Sequence, residues 1–344
     1  MPESMLNIAA IPMQTIGPVK ITGPVVNEEI MVPLATFETP LWPSTNRGAR
    51  VSVQSGGIRA VITDDRMTRS VLVEAPDAEQ ALAVKHFLQA QTETIRSIIE
   101  STSRYARFIE VKCENAANLL YIRIAINAGD ASGHNMTTKA ADAFLDWLLA
   151  ERPELRYLSV SGNYCVDKKV SAVNGILGRG KHVITELVVP EKLCRRYLKT
   201  TPEKIVELNI KKNLLGTMLG GGIRTANAHF ANILLAFYLA TGQDAANIIE
   251  GSQGTVHAEV RNGDLYFAAT LPNVIVGTVG NGKDLDFVRN NLQALGCLEQ
   301  RKAGGNAQRL AVIAAAAVLC GELSLMAALT NRGELMRTHE KLER

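Results

Sequence analysis

The sequence predicts an α+β protein: a large domain formed by residues 1–70 and 160–344, carrying an inserted ferredoxin-like domain at 71–159. Three observations lead there. β-Branched runs broken by Gly and Pro fill the first 70 residues, a regular β-α-β-β-α-β order follows, and helical periods mixed with strands then run to the end.

In order, GPVKITGPVV (17–26), IMVPLATFETPLWPSTNRGARVSV (30–53) and GGIRAVIT (56–63) read as short strands and turns. SVLVEAP (70–76) reads as a strand and residues 78–103 as one long helix. YARFIEVKCE (105–114) and NLLYIRIAINA (118–128) read as strands, TTKAADAFLDWLLAE (137–151) as a helix and LRYLSVS (155–161) as the last strand of the insertion. Beyond it, 203–219 and 226–242 have helical period, the second ended by Gly242. TVHAEV (255–260), DLYFAATL (264–271) and NVIVGTVG (273–280) read as strands. Residues 306–330 form an Ala-rich helix that breaks at Asn331–Gly333, before a charged tail.

The 344 residues are 47% hydrophobic and 21% charged with a net charge of +3, so a sizeable core is expected and no nucleic-acid footprint is visible. The five cysteines are isolated and odd in number, and the histidines show no metal-ligand spacing; neither a disulfide framework nor a metal site is expected. The first basic residue is Lys20, which does not fit a secretory signal, and the apolar runs 310–320 and 233–240 fall short of a membrane span. A cytoplasmic protein without a membrane partner is expected.

Two glycine-rich stretches invite a nucleotide reading. GTVGNGKD (277–284) has the glycine-to-Gly-Lys spacing of a phosphate loop, but Asp284 stands where a magnesium-holding hydroxyl is needed, so a turn after a strand is the plainer reading. LGGGIRTANAH lacks the dinucleotide fingerprint and follows a helix. His229 and Asn232 share one face of an apolar helix, a spacing more common for a core pair than for a site.

The stretch SGNYCVDKK (161–169) puts a carboxylate and two ammonium groups beside an apolar segment. Together with VPLATFETPLWPSTNRG, RMTR, STSRYAR, GDASGHN, NIKKNLLGTM, NAHFANI, ATGQD, PNVIVGTVG, GGNAQRLA and GELSLMAAL, in that family's order, it resembles the catalytic portion of class I 3-hydroxy-3-methylglutaryl-coenzyme A reductases (HMG-CoA reductases) from about Ile16 to His339. The resemblance implies a two-step, NADPH-dependent reduction of HMG-CoA to mevalonate and coenzyme A in isoprenoid synthesis. An NAD-preferring degradative enzyme and a non-catalytic acyl-CoA-binding homologue are the alternatives.

Carried over position by position, the resemblance makes Lys168 the cation for the thioester oxyanion, Glu38 the acid, Asp244 the bridge between them, and His339 the donor to the departing thiolate. Arg69, Ser161, Asp167, Lys169, Lys212 and Asn232 match substrate contacts, and Ser44, Asn46 and Arg47 match coenzyme A contacts. Ser103 and Arg104 match the 2′-phosphate site, and Asp130, Ala131, Ser132, Gly133 and Asn135, with Arg344, match cofactor contacts; Ser132 and His134 stand where the family commonly has methionine. The large domain is thus expected to bind HMG-CoA, the insertion NADP, and the tail 333–344 to act as a mobile flap. A homodimer or dimer of dimers is implied, with active sites at the subunit interface.

Overall fold

The computed structural model describes residues 9–342. Strands β1 (Met13–Thr22) and β2 (Glu28–Ala35) form an antiparallel hairpin at one end of the main sheet, whose order is β2-β1-β3-β7-β9-β8, with β3 Ile58–Glu74, β7 Gly180–Val189, β8 Thr255–Arg261 and β9 Asp264–Val274. The 17-residue β3 runs through residue 70 without a break. Its first half pairs with β7 and its second half with β5 (Leu119–Asn127) and β6 (Arg156–Ser159). With β4 (Arg107–Ala116) on β5, the smaller sheet has the order β4-β5-β3-β6, the antiparallel ferredoxin-like arrangement.

Two buried apolar clusters correspond to the two sheets. One draws on Ile16 to Ala60 and Val183 to Ala327; the other draws on Val71 to Leu155 and fills the space between the small sheet and the helices α2 (Ala78–Ala90), α3 (Thr92–Ser101) and α4 (His134–Glu151). The helical period expected at 78–103 is split at Gln91, which caps both α2 and α3.

Three local readings change. LWPSTNRGARVSVQ forms the helix α1 (Leu41–Gln54) instead of strands and turns, because Pro43 sits in the first turn where its missing N–H costs nothing. NVIVGTVG adds no further strand: Asn273 and Val274 end β9, and the rest is loop. No element is assigned above to 180–189, yet β7 there is a central strand with a row of alternating buried residues.

Helix Gly305–Leu329 is long and apolar enough to span a bilayer, with a mean hydropathy of 2.1 over 18 residues, whereas the run 310–320 alone falls short. Protein covers 94% of that window, so its all-round apolarity reflects a central core position. It packs on α1 so closely that a Cβ at Gly48 would lie 2.0 Å from the Cys320 carbonyl oxygen. None of the five cysteines is paired.

Candidate active site

The loop between β6 and the helix Ala172–Leu177 carries Ser161 to Lys169 and is held in an uncommon backbone conformation. Asn163, Val166 and Lys168 have φ of +64°, +46° and +54°. A β-branched residue in that region is strained, so the surroundings must impose it. Much of that constraint comes from two fully buried residues, Arg179 and Glu250. Glu250 accepts the Lys168 N–H at 3.1 Å, and its partner Arg179 reaches Asp167 at 2.5 Å and the Thr68 carbonyl at 2.6 Å. Burial pushes the Glu250 carboxyl above its ordinary range, against the pull of Arg179.

So fixed, the loop sends the Lys168 ammonium to Asp244, Nζ to Oδ2 at 2.7 Å. Asp244 follows the turn that ends helix Phe230–Ala240, and its carboxylate also accepts the Ala246 N–H at 3.1 Å. Hydrogen bonding to Asp244 raises the Lys168 pKa; for Asp244, partial burial works upward but the Lys168 bond and charge prevail, and its pKa is lowered. Both groups are therefore charged across the neutral range.

This pair lines a cavity of about 540 Å³ together with Arg69, Asp167, Ala131 to Met136 and the glycine-rich turn near Gly277. Arg69 reaches Ser161 Oγ at 3.3 Å and Asp167 at 3.7 Å, and Lys169 turns back to the Asp167 carbonyl at 3.0 Å. The GDASGHN loop contributes a wall of the cavity at the N-terminus of α4. Gly133 caps the helix with φ +96°, and a Cβ there would meet Ala128 and Met67 within 2.9 Å.

His134, the methionine replacement, lies in this wall, 3.4 Å from Ser132 Oγ and 3.7 Å from Asp167, the latter too long for a hydrogen bond. Burial and the nearby Arg179 charge push its pKa down to about 4, so the imidazole is neutral. The Asp130 carboxylate points elsewhere. It accepts from Gly304, Asn306 and Ala307 N–H at 2.9–3.1 Å, capping the central helix and fixing the loop. Ser103 and Arg104 sit in the exposed turn after α3, where Arg104 stacks on Tyr105 at 4.6 Å; neither lines the cavity.

Glu38 lies in a different cleft of about 390 Å³, lined also by Pro40, Ser44, Arg47, His229, Asn232, Glu334 and Leu335. Asn232 donates to Glu38 Oε2 at 2.7 Å. Of the apolar neighbours of Glu38, Phe37 is 74% exposed, whereas Leu41 is buried and lines the same cleft. Asn232 is in the first turn of helix Phe230–Ala240 and Asp244 beyond its end, so about 12 Å of helix separates them. Within one chain, Asp244 therefore pairs with Lys168 and lines a separate cleft from Glu38.

Arg47 donates to Glu334 at 2.6 Å and to both oxygens of Ser324, whose hydroxyl also meets Ser44 at 3.0 Å. Asn46 faces β1 and accepts the Gly17 N–H at 2.9 Å; Lys212 contacts Asn213 Oδ1 at 3.3 Å and lines neither cleft. His339 falls in helix Glu334–Leu342, its side chain outside the described residues, as is Arg344. Unforeseen from sequence is Glu322, fully buried in the central helix, which accepts from Ala228 N, His229 N and His229 Nδ1 at 2.5, 3.0 and 2.9 Å. A carboxylate in the apolar run GELSLMAAL is the signal that could have found it. Among the described residues no cluster of ligating side chains fits a metal ion.

The architecture is that of solved HMG-CoA reductases. The class II enzyme of Streptococcus pneumoniae bound to NADPH in open conformations superposes with a TM-score of 0.74 over 96% of this chain and 87% of that one, at 17% identity, and a second structure of that reductase with 0.73. Sequence carries the assignment further: residues 1–344 match the hydroxymethylglutaryl-coenzyme A reductase family model, and the chain belongs to that family. The reductase of Pyrococcus horikoshii is 43% identical over 99% of this chain and 83% of that protein, and that of Methanothermobacter thermautotrophicus 40% over 99% and 85%.

Proposed function

We propose that the chain is an oxidoreductase that reduces HMG-CoA with two NADPH to mevalonate, releasing coenzyme A, in the mevalonate pathway. The observation that carries this is the Lys168–Asp244 pair, set in one cavity with the helix terminus of GDASGHN. The residues fit a dinucleotide. The first N–H groups of α4, at the edge of this cavity, are free of intrahelical partners, as an anion requires. When bound, the nicotinamide supplies hydride, two electrons at each of the two steps.

Each hydride added to a carbonyl leaves an oxyanion. Lys168 stands ready to hold that charge, and Asp244 keeps the lysine ionised and oriented. Two protons complete the balance, one for the departing thiolate and one for the final alkoxide; Glu38 and His339 are the proposed donors. Arg69 and Ser161 are grouped to receive the substrate carboxylate, while Ser44 and Arg47 line the cleft assigned to coenzyme A. Glu334 of the tail helix that carries His339 already holds Arg47, so a phosphate at Arg47 competes with that contact and couples substrate entry to the tail helix.

The division into an HMG-CoA-binding large domain and an NADP-binding insertion is part of the same proposal. So is assembly as a homodimer or larger even oligomer. Its support is the placement of Glu38 and Lys168 on separate clefts, and the exposed apolar row Leu214, Leu215, Met218, Leu219 and Ile223. A cytoplasmic location is consistent with the burial of the apolar central helix.

Nicotinamide oxidation with HMG-CoA, coupled to mevalonate detection, tests the activity. No turnover by a folded protein that still binds acyl-CoA would favour the non-catalytic alternative.

A further inference from the structure

The stretch GTVGNGKD, read above as a turn after a strand, folds against the C-terminal end of helix Phe230–Ala240, which leads into Asp244. A helix leaves its last carbonyls without intrahelical donors, and at that end they form the negative pole of the helix dipole. Here the carbonyls of Ala240, Thr241 and Gly242 are each taken by a side chain. Asn291 Nδ2 donates to Ala240 at 2.7 Å, Gln243 Nε2 to Thr241 at 2.7 Å, and the Lys283 ammonium to Thr241 at 3.3 Å and to Gly242.

The two segments are tied in two further ways. Gly277 N donates to Gln243 Oε1 at 2.9 Å, and the chains pass so closely that a Cβ at Gly242 would lie 2.6 Å from the Gly282 carbonyl oxygen. Among the described residues no carboxylate comes within 4.0 Å of the Lys283 ammonium, so backbone dipoles hold its charge. Burial lowers its pKa to about 8, which leaves the charged form dominant at neutral pH. A lysine at the end of a helix is favoured there by both the hydrogen bonds and the dipole. What this clamp holds is the turn that presents Asp244. The Asp244 carboxylate meets Lys168 at 2.7 Å with both side chains partly exposed, and such a pair is too weak to fix its own geometry.

We propose that Lys283 is a positioning residue for the reduction: its ammonium fixes the Thr241–Gly242 turn and thereby holds Asp244 in reach of Lys168. The proposal rests on the reductase reading given above and adds a residue outside the motif positions that carry it. Because Lys283 acts through the Lys168–Asp244 pair, its effect falls on the chemical step, where the lysine charge meets the oxyanion, and not on the binding of either ligand.

The test is steady-state kinetics of the full-length protein with HMG-CoA and NADPH, with Lys283→Met and Lys283→Arg beside wild type and melting curves for all three. Lys283→Met should lower kcat about tenfold or more and leave both KM values within about twofold, the signature of a displaced catalytic pair. Lys283→Arg keeps a charge and donors for the helix carbonyls and should stay within about threefold of the wild-type kcat. An unchanged kcat in Lys283→Met would overturn the proposal. So would a raised KM for NADPH with kcat intact, which would make Lys283 a ligand contact. Equal losses of kcat in both variants, with lowered melting temperatures, would also overturn it and make Lys283 a brace for the fold alone. Wild type that oxidises no NADPH would instead remove the reductase reading, and this proposal with it.

Discussion

Lys168 and Asp244 meet at 2.7 Å across a gap of 76 residues in sequence, one on a loop leaving the small sheet and the other beyond a helix of the large core. Their contact is where the two halves of the fold combine in one cavity. With side chains 38% and 44% exposed, the pair contributes little to stability. Lys168→Ala should cut turnover by about 10²- to 10³-fold while the melting temperature barely moves. A parallel loss of both in a kinetic and thermal comparison would assign the pair a structural role.

The pH response of this pair follows from its directions. Asp244, lowered, keeps its contribution above the ordinary aspartate range and loses it as pH falls through the folded value; Lys168, raised, keeps its own below the ordinary lysine range and loses it as pH rises through the folded value. Neither group should therefore produce a limb in the rate profile between about pH 5 and 9. A limb there that disappears in Asp244→Asn would contradict this account.

His134 acts on stability in the acid range. Its imidazole is neutral in the fold, with a pKa of about 4, but takes up a proton near 6.5 when unfolded. The unfolded chain thus binds more protons between those values, and wild type should lose up to about 3 kcal/mol as pH falls through that window. His134→Gln should flatten that slope in urea titrations at pH 4.5 and 7.

Much of the fold was legible because local pattern and tertiary environment agree. The insertion shows this: the strands β4 and β5 and an α4 that buries one face, Ala140, Ala141, Phe144, Leu145 and Leu148, form where the sequence pattern places them. Legibility failed where tertiary packing prevails. α1 reads as turns because Pro43 and Gly48 normally interrupt a helix, yet one occupies its first turn and the other makes room for Cys320. At the site, the motif positions gather as two groups, around Lys168 and around Glu38. Arg179 and Glu250, which hold Lys168 in place, stayed hidden because nothing local distinguishes a buried ion pair from a surface one.

Arg179 gives the sharpest stability test of that support. Removing a partner from a buried pair costs about 3–5 kcal/mol, so Arg179→Met should shift the urea midpoint strongly. Activity should fall further than the unfolded fraction explains, because Glu250 loses the partner that helps it hold the Lys168 amide.

Glu322→Ala should destabilise the protein by about 3 kcal/mol, since the Ala228 and His229 N–H groups would lose a charged acceptor inside the core. Equilibrium denaturation measures it. A change below about 1 kcal/mol would show that water replaces the carboxylate.

The most direct measurement is absorbance of reduced nicotinamide with purified protein and HMG-CoA, wild type beside Lys168→Ala, with mevalonate assayed as product. The account predicts two NADPH oxidised per mevalonate by wild type and near silence from the variant. NADPH oxidation undiminished in Lys168→Ala, or a folded wild type that binds both ligands without oxidising NADPH, would contradict it.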